Sequence, residues 1–356
     1  MREERSRSGG RSAARSSIAR APDPNIPPAS TAAFIHPIPP GTRDVLPDEM
    51  RELRAITEGL RSVFENAGYG EVATPALEYE EVLRTGDADA AGAGYRTFDE
   101  RGQVMALRSD MTIPIARLVA TRFPRTDGEP LRLSCLGNAY RAVKIGTGHQ
   151  RELLQAGIEL IGVAGADRDA EVIALALAAL DEVGLARHRV GLGDGALYRT
   201  LMAAFEVPDE RRGELLACLA RRDLVTLGAL VRDLGLAKDA YDKLVGFPEL
   251  RGGPEILDRA DGPAAGALDG LRALHAALHD RGVADRVILD LGLVRELDYY
   301  TGAVWEVYDP AVGFVLGGGG RYDDLIGRFG ASRPACGVAL DVQRVHIAQA
   351  EEEKLQ

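Results

Sequence analysis

Cysteine is scarce in this chain. There are three, Cys135, Cys218 and Cys336, well apart and in no CxxC pattern. An odd count in a long chain argues against a disulfide framework and against a thiolate zinc site. They read as ordinary half-buried thiols of a reducing cytoplasm. Long hydrophobic runs are also missing. The longest mostly apolar run, Ile173–Leu180, is far short of the roughly 20 residues that a membrane span needs. No apolar signal segment follows Met1, so the expected location is cytoplasmic, with no membrane partner. HExxH and the Walker lysine are absent too. His275 and His279 lie four apart on an expected helix but lack a third ligand, so no metal and no resident cofactor are expected.

Positive charge is the last shortage. Lys and Arg total 43 against 54 Asp and Glu, for a net −11. The deficit is uneven. Residues 1–30 hold six Arg against Glu3, Glu4 and Asp23. That tail carries +3, which takes the rest from −11 to −14. An acidic body repels phosphate backbones, so nucleic acid is a disfavoured partner for the body as a whole.

What is present is 356 residues, 46% of them hydrophobic. At about 150 residues per domain this means two domains, or one with an insertion. Residues 1–33, rich in Arg, Ser and Pro, read as a disordered tail. Leu53, Ile56, Leu60 and Phe64 then mark one helical face, ended at Gly68. Glu71–Pro75 reads as a strand. Phe98, Val104 and Leu107 suggest strands around a turn, and a helix follows Asp110. Leu131–Arg141 and Leu153–Ile161 read as an antiparallel pair, and Asp167–Val183 as a helix. Residues 194–282 read as a helical insertion. Strand character returns at Val287–Leu291, Thr301–Tyr308, Gly313–Leu316 and Ala335–Ala339, before a final helix, Val342–Glu352. Gly317–Gly320 reads as a tight sheet turn with backbone close to a ligand. The expected class is α+β, with a core of residues 34–193 and 283–356.

Five stretches concentrate polar residues within apolar surroundings: Leu107–Thr112, Gly137–Arg141, Arg151–Glu159, Leu293–Tyr300 and Gly317–Asp323. On the expected strand Leu153–Ile161, Gln155, Gly157 and Glu159 share one face. A free amino acid needs an acid near its ammonium and an arginine near its carboxylate. Histidine also needs a donor and an acceptor around its imidazole. Asp110, Glu159, Arg141, Arg295, Gln155, Tyr299 and Tyr300 could supply these, although composition alone cannot bring them into one pocket.

These stretches resemble the core of class II aminoacyl-tRNA synthetases, and histidyl-tRNA synthetase in particular. Pro40–Asp44 resembles that family's opening motif. Pro75 matches the motif 1 proline, which implies a dimer. Tyr140-Arg141 resembles the motif 2 arginine, Leu293–Tyr300 the LVRGLDYY segment, and Gly318–Asp323 the GGRYD loop. The resemblance implies a mixed, mainly antiparallel sheet with flanking helices and a helical insertion. It also implies a histidine pocket. Asp110 and Thr112 would meet the amino group. Gln155 and Glu159 would read histidine, with Glu159 facing the imidazole and Tyr300 beside it. Arg141 and Arg295 would lie near the carboxylate, and Tyr299 would play a lesser part.

The departures concern ATP. Val143 replaces a motif 2 glutamate, His149 aligns with a phosphate-contacting arginine, and Glu296 replaces the LVRGLDYY glycine. Asp341 replaces a motif 3 glycine, while Arg344 keeps the motif 3 arginine. The sequence given ends 12 residues after Arg344, where the synthetases continue into an anticodon-binding domain. A paralogous family with this anatomy is the regulatory subunits of ATP phosphoribosyltransferase. It implies a non-catalytic subunit with L-histidine as allosteric ligand and a short-form catalytic subunit as partner. The alternative is a truncated or divergent enzyme that adenylates histidine.

Overall fold

The structure is a computed structural model that describes residues 38–87, 94–123, 129–142, 150–260, 262–295 and 299–355. The tail 1–33, Val143, His149 and Glu296 lie outside the described residues. From Pro40 onward the chain is one compact unit. Among the described residues no helix is long and apolar enough to cross a membrane.

Helix α1 (Pro47–Asn66) opens it and buries Leu53, Ile56, Leu60 and Phe64, the stripe that a 3.6-residue period demands. Gly68, at a φ of 82°, turns the chain out of the helix. The strand expected over Glu71–Pro75 is shorter. Only β1 (Gly70–Glu71) joins the main sheet. The Val72 N–H still donates to the Ser134 carbonyl at 2.8 Å, and the chain leaves the sheet before Pro75, which has no N–H to give to a ladder. β2 (Leu77–Tyr79) then enters a separate small sheet with β3 (Arg96–Phe98) and β4 (Val104–Leu107), in the order β2-β4-β3. Helix α2 (Glu80–Gly86) separates β2 from β3, and α3 (Thr112–Arg122) follows β4.

Among the described residues the main sheet has nine strands. β5 (Leu131–Tyr140) and β6 (Glu152–Ile161) form the expected antiparallel pair. Helix α4 (Ala166–Glu182) leads to β7 (Arg189–Asp194). Five helices follow: α5 (Leu197–Ala204), α6 (Asp209–Ala220), α7 (Leu224–Asp233), α8 (Lys238–Gly246) and α9 (Ala265–Asp280). The short β8 (Arg251–Gly252) interrupts them, and β9 (Val287–Asp290), β10 (Ala303–Tyr308), β11 (Val315–Arg321) and β12 (Ala335–Asp341) complete the sheet. Helix α10 (Val342–Glu353) closes the unit. The order is β1-β5-β6-β12-β11-β10-β7-β9-β8, parallel only at β1/β5 and β7/β9.

Two elements differ from expectation. β7 lies in a stretch to which the sequence assigned no element, because Gly191 and Gly193 blank out its alternation. The helical stretch after it is the crossover between parallel β7 and β9. The four glycines Gly317–Gly320 are not a turn. They lie within β11, at the middle of the sheet, because β10 and β12 pair with them from both sides.

The sheet divides two apolar layers. On one side Ala156, Ile158, Leu160 and Trp305 pack with α1, α4 and the crossover helices in one cluster. On the other, Leu133, Cys135 and Ile161 pack with Met111, Ile113 and Tyr322 in a smaller one. The polar face of β6 opens on this second side.

Candidate functional site

Strand register places the site. Across the sheet, Gln155 lies beside Gly137 and Asp341. The next row on the same face is Cys135, Gly157, Ala339, Gly318 and Glu306. The row after it is Leu133, Glu159, Gly337, Gly320 and Val304. Glycine recurs where a functional side chain lies flat on the sheet. A Cβ on Gly337 would overlap the Glu159 carboxylate. One on Gly318 would overlap the Arg295 guanidinium, and one on Gly320 would come within 2.6 Å of the Tyr300 ring. The other two glycines of β11 face the core, where Gly319 leaves room for the Trp305 indole.

Above these rows is a cavity of about 220 Å³. Drug-sized clefts run from roughly 300 to 1,000 Å³, so this one suits a small ligand. It is lined by Asp110, Thr112, Arg141, Gln155, Arg295, Tyr299 and Tyr300, which brings together seven of the eight residues singled out from the sequence. The eighth, Glu159, lies just behind the wall. It accepts hydrogen bonds from the Thr112 hydroxyl at 2.8 Å and from the Tyr322 hydroxyl. It therefore does not front the cavity as the resemblance implied.

Tyr322 lines the cavity and was missed. Its signal was its place next to Arg321. That residue forks onto Asp169 (2.7 and 3.1 Å) from the core side of β11.

The electrostatics follow from burial. Glu159 is pushed up to about 7 by loss of water, against the two hydroxyl bonds that favour its ionised form. Asp110 is also pushed up by burial, opposed by the Ile113 N–H at 2.9 Å. Arg141 donates to the Ser109 carbonyl at 3.1 Å and so sits at the mouth beside Asp110. Tyr299 is buried, its ring 4.8 Å from Tyr300 and 5.8 Å from Tyr322. It props the two tyrosines. Among the described residues two buried atoms on the cavity wall lack a partner: the Gln155 Oε1 acceptor and the Arg295 Nε donor. Buried polar atoms without partners are costly, so each calls for a ligand group of the opposite kind.

The cavity extends toward Glu306, Asp341 and Arg344. Here the charges are spent on each other. Arg295 lies 3.6 Å from Glu306, and Arg344 lies 3.3 Å from Asp341. Arg344 also donates to the Val315 carbonyl at 2.6 Å. Asp341 has a second task that the sequence comparison did not suggest. Its Oδ1 caps α10 by accepting the N–H groups of Gln343 and Arg344, both at 3.1 Å. Asp341→Ala is expected to cost about 1 kcal/mol of stability through this cap. Urea unfolding measures it, and an unchanged midpoint would remove the cap from the account.

A nine-stranded, mainly antiparallel sheet with this cavity on one face defines a class II synthetase-type core. The family described as histidyl-tRNA synthetase matches residues 41–345. Among solved structures, the ATP phosphoribosyltransferase regulatory subunit/histidyl-tRNA synthetase of Bacillus halodurans superposes with a TM-score of 0.81 at 32% identity, covering 89% of this chain and 84% of that one. A histidine–tRNA ligase subunit of Alicyclobacillus acidocaldarius gives 0.76 at 34%, covering 89% and 98%. Among curated relatives, the ATP phosphoribosyltransferase regulatory subunit of Desulforamulus reducens is 41% identical over 87% of this chain and 78% of its own length. That of Symbiobacterium thermophilum is 40% identical over 88% and 79%. The chain belongs to the ATP phosphoribosyltransferase regulatory subunit family, on a histidyl-tRNA synthetase fold.

Proposed function

We propose that this chain is the non-catalytic, regulatory half of an ATP phosphoribosyltransferase, acting in the first step of histidine biosynthesis, and that free L-histidine is the ligand of its cavity. Catalysis then resides in a short-form partner subunit. The carrying observation is the pair of unpartnered atoms on one wall. An ammonium or imidazole N–H would satisfy Gln155 Oε1, and a carboxylate would satisfy Arg295 Nε. Asp110 and Thr112 flank the amino side, and Arg141 the carboxylate side. Tyr322 and Thr112, both oriented by Glu159, offer hydroxyls to the ring. The chain works as a cytoplasmic dimer that does not hold tRNA.

Adenylation is disfavoured by the same geometry. A triphosphate needs unspent cations, and Arg344 is taken up by Asp341 at 3.3 Å and by the Val315 carbonyl.

The regulatory step is linkage. Histidine must bind one arrangement of the complex better than another, and a coupling of about 1–3 kcal/mol changes activity roughly 5–150-fold. The test is phosphoribosyl transfer by the short-form partner, with and without this chain and histidine. Activation by the chain and inhibition by histidine are expected. Histidine-dependent ATP–pyrophosphate exchange by the chain alone would overturn the reading.

A further inference from the structure

Arg108 is buried, yet among the described residues no carboxylate accepts its hydrogen bonds. Its guanidinium donates to the Asn138 carbonyl at 2.7 Å, the Thr74 carbonyl at 2.6 Å, the Thr74 hydroxyl at 3.2 Å and the Pro75 carbonyl at 3.3 Å. Its backbone does the same work. The Arg108 N–H donates to the Ala76 carbonyl at 2.9 Å, and its own carbonyl accepts the Tyr140 N–H at 2.8 Å. One residue thus joins the β1–β2 connection, the end of β5 and the start of the ligand-facing segment Arg108–Thr112. Gly137 makes room for it, since a Cβ there would come within 2.6 Å of Nη2.

The segment that follows carries Asp110 and Thr112 and accepts Arg141 at Ser109. A second tie runs parallel to the first. Glu78 of β2, buried, forms an ion pair with Arg117 of α3, the helix that Thr112 begins. β2 is therefore tied twice, just ahead of its first residue through Arg108 and at its middle residue, Glu78, to the helix that Thr112 begins. Its outer side chains, Leu77 and Tyr79, are half-exposed and lie beside Leu107 and Met105 of β4.

We propose that Arg108 is a positioning residue that couples occupancy of the cavity to the segment Thr74–Tyr79 and so to the outer face of the small sheet. A buried cation held by three carbonyls and one hydroxyl is sensitive to any shift of those dipoles, because they stand in for its lost water. When a ligand draws in Asp110, Thr112 and Arg141, the guanidinium fork carries that movement to Thr74 and Pro75. Lysine cannot replace it. An ammonium is a point donor, and it cannot span acceptors on two segments with a planar fork.

The coupling rests on the histidine reading above, and the two can be separated. Calorimetry on the full chain reports histidine binding. Amide hydrogen exchange with and without saturating histidine reports the coupling. In the parent, histidine is expected to slow exchange of the Ala76–Tyr79 amides about fivefold or more, alongside protection in β6. In Arg108→Lys the β6 protection should persist and the Ala76–Tyr79 protection should vanish. Thr74→Val deletes one acceptor and leaves the other three, so it should lose part of the transfer. It also carries the test if Arg108→Lys does not fold. Histidine heat in the parent without protection at Ala76–Tyr79 overturns the coupling, as does full protection in both variants. No histidine heat in the parent overturns the reading of the ligand, and the coupling with it.

Discussion

Arg321→Met is expected to lower the free energy of unfolding by about 3–5 kcal/mol, the cost of breaking a buried ion pair from one side. Whole domains have only about 5–15 kcal/mol. Both partners are buried. The Arg321 fork meets both oxygens of Asp169 at 2.7 and 3.1 Å, and a further nitrogen bond reaches Asp323 at 2.8 Å. Asp169 sits in the first turn of α4, where the helix dipole also favours an anion. With the cation gone, that carboxylate keeps its desolvation cost and loses its partner. Chemical denaturation of the single variant and of Asp169→Leu/Arg321→Met checks this. The double variant should recover most of the loss, because neither charge is then stranded. A loss below about 1 kcal/mol in the single variant would show the pair to be incidental. Arg321 ends β11 and immediately precedes Tyr322, whose hydroxyl donates to Glu159.

Glu159→Gln is expected to act in opposite directions on stability and on binding. Burial raises the carboxyl from 4.5 to about 7. The folded state therefore holds a proton that the unfolded chain releases earlier. The stability contributed by this group is complete below about pH 4.5 and is lost as pH rises through about 7. Glutamine does not titrate. Ligand-free Glu159→Gln should match the parent near pH 4 and exceed it at pH 8 by on the order of 3 kcal/mol. Histidine binding at pH 8 should fall roughly 10–150-fold, since the ionised acceptor that orients the Thr112 and Tyr322 hydroxyls is gone. Denaturation at several pH values measures the first effect, and calorimetry the second. A parent whose stability is flat from pH 5 to 8, or a variant with unchanged histidine affinity, would contradict this account. A site that stabilises the protein when its key carboxylate is removed is a site kept for function.

Much of the scaffold is legible from periodicity. The face of α1 follows from its 3.6-residue period, because it buries one side, and the two faces of β6 follow from alternation of apolar with polar or glycine positions, although both faces are covered. β7 was not legible, since a strand carrying Gly191 and Gly193 has no side-chain pattern to read. Nor was the course of β11. Four glycines signal a turn by propensity, and only pairing with β10 and β12 makes them a strand. The eight site residues could be assigned to one pocket by resemblance and no further, because their convergence depends on strand order. The position of Glu159 behind the pocket wall depends on Gly337, which is 178 residues away in sequence and its direct neighbour across the sheet.

Gly318, Gly320 and Gly337 hold the cavity open by having nothing there. A survey of ligand contacts would overlook them, because they offer no group to a ligand. Alanine is ordinarily the mildest replacement, but at these three positions it evicts Arg295, Tyr300 or Glu159 from its resting place. The specificity of this pocket can therefore drift through its polar residues, one at a time, while the floor beneath them admits no intermediate. In a lineage of such proteins the floor, more than the residues standing on it, sets which ligands remain reachable by single steps.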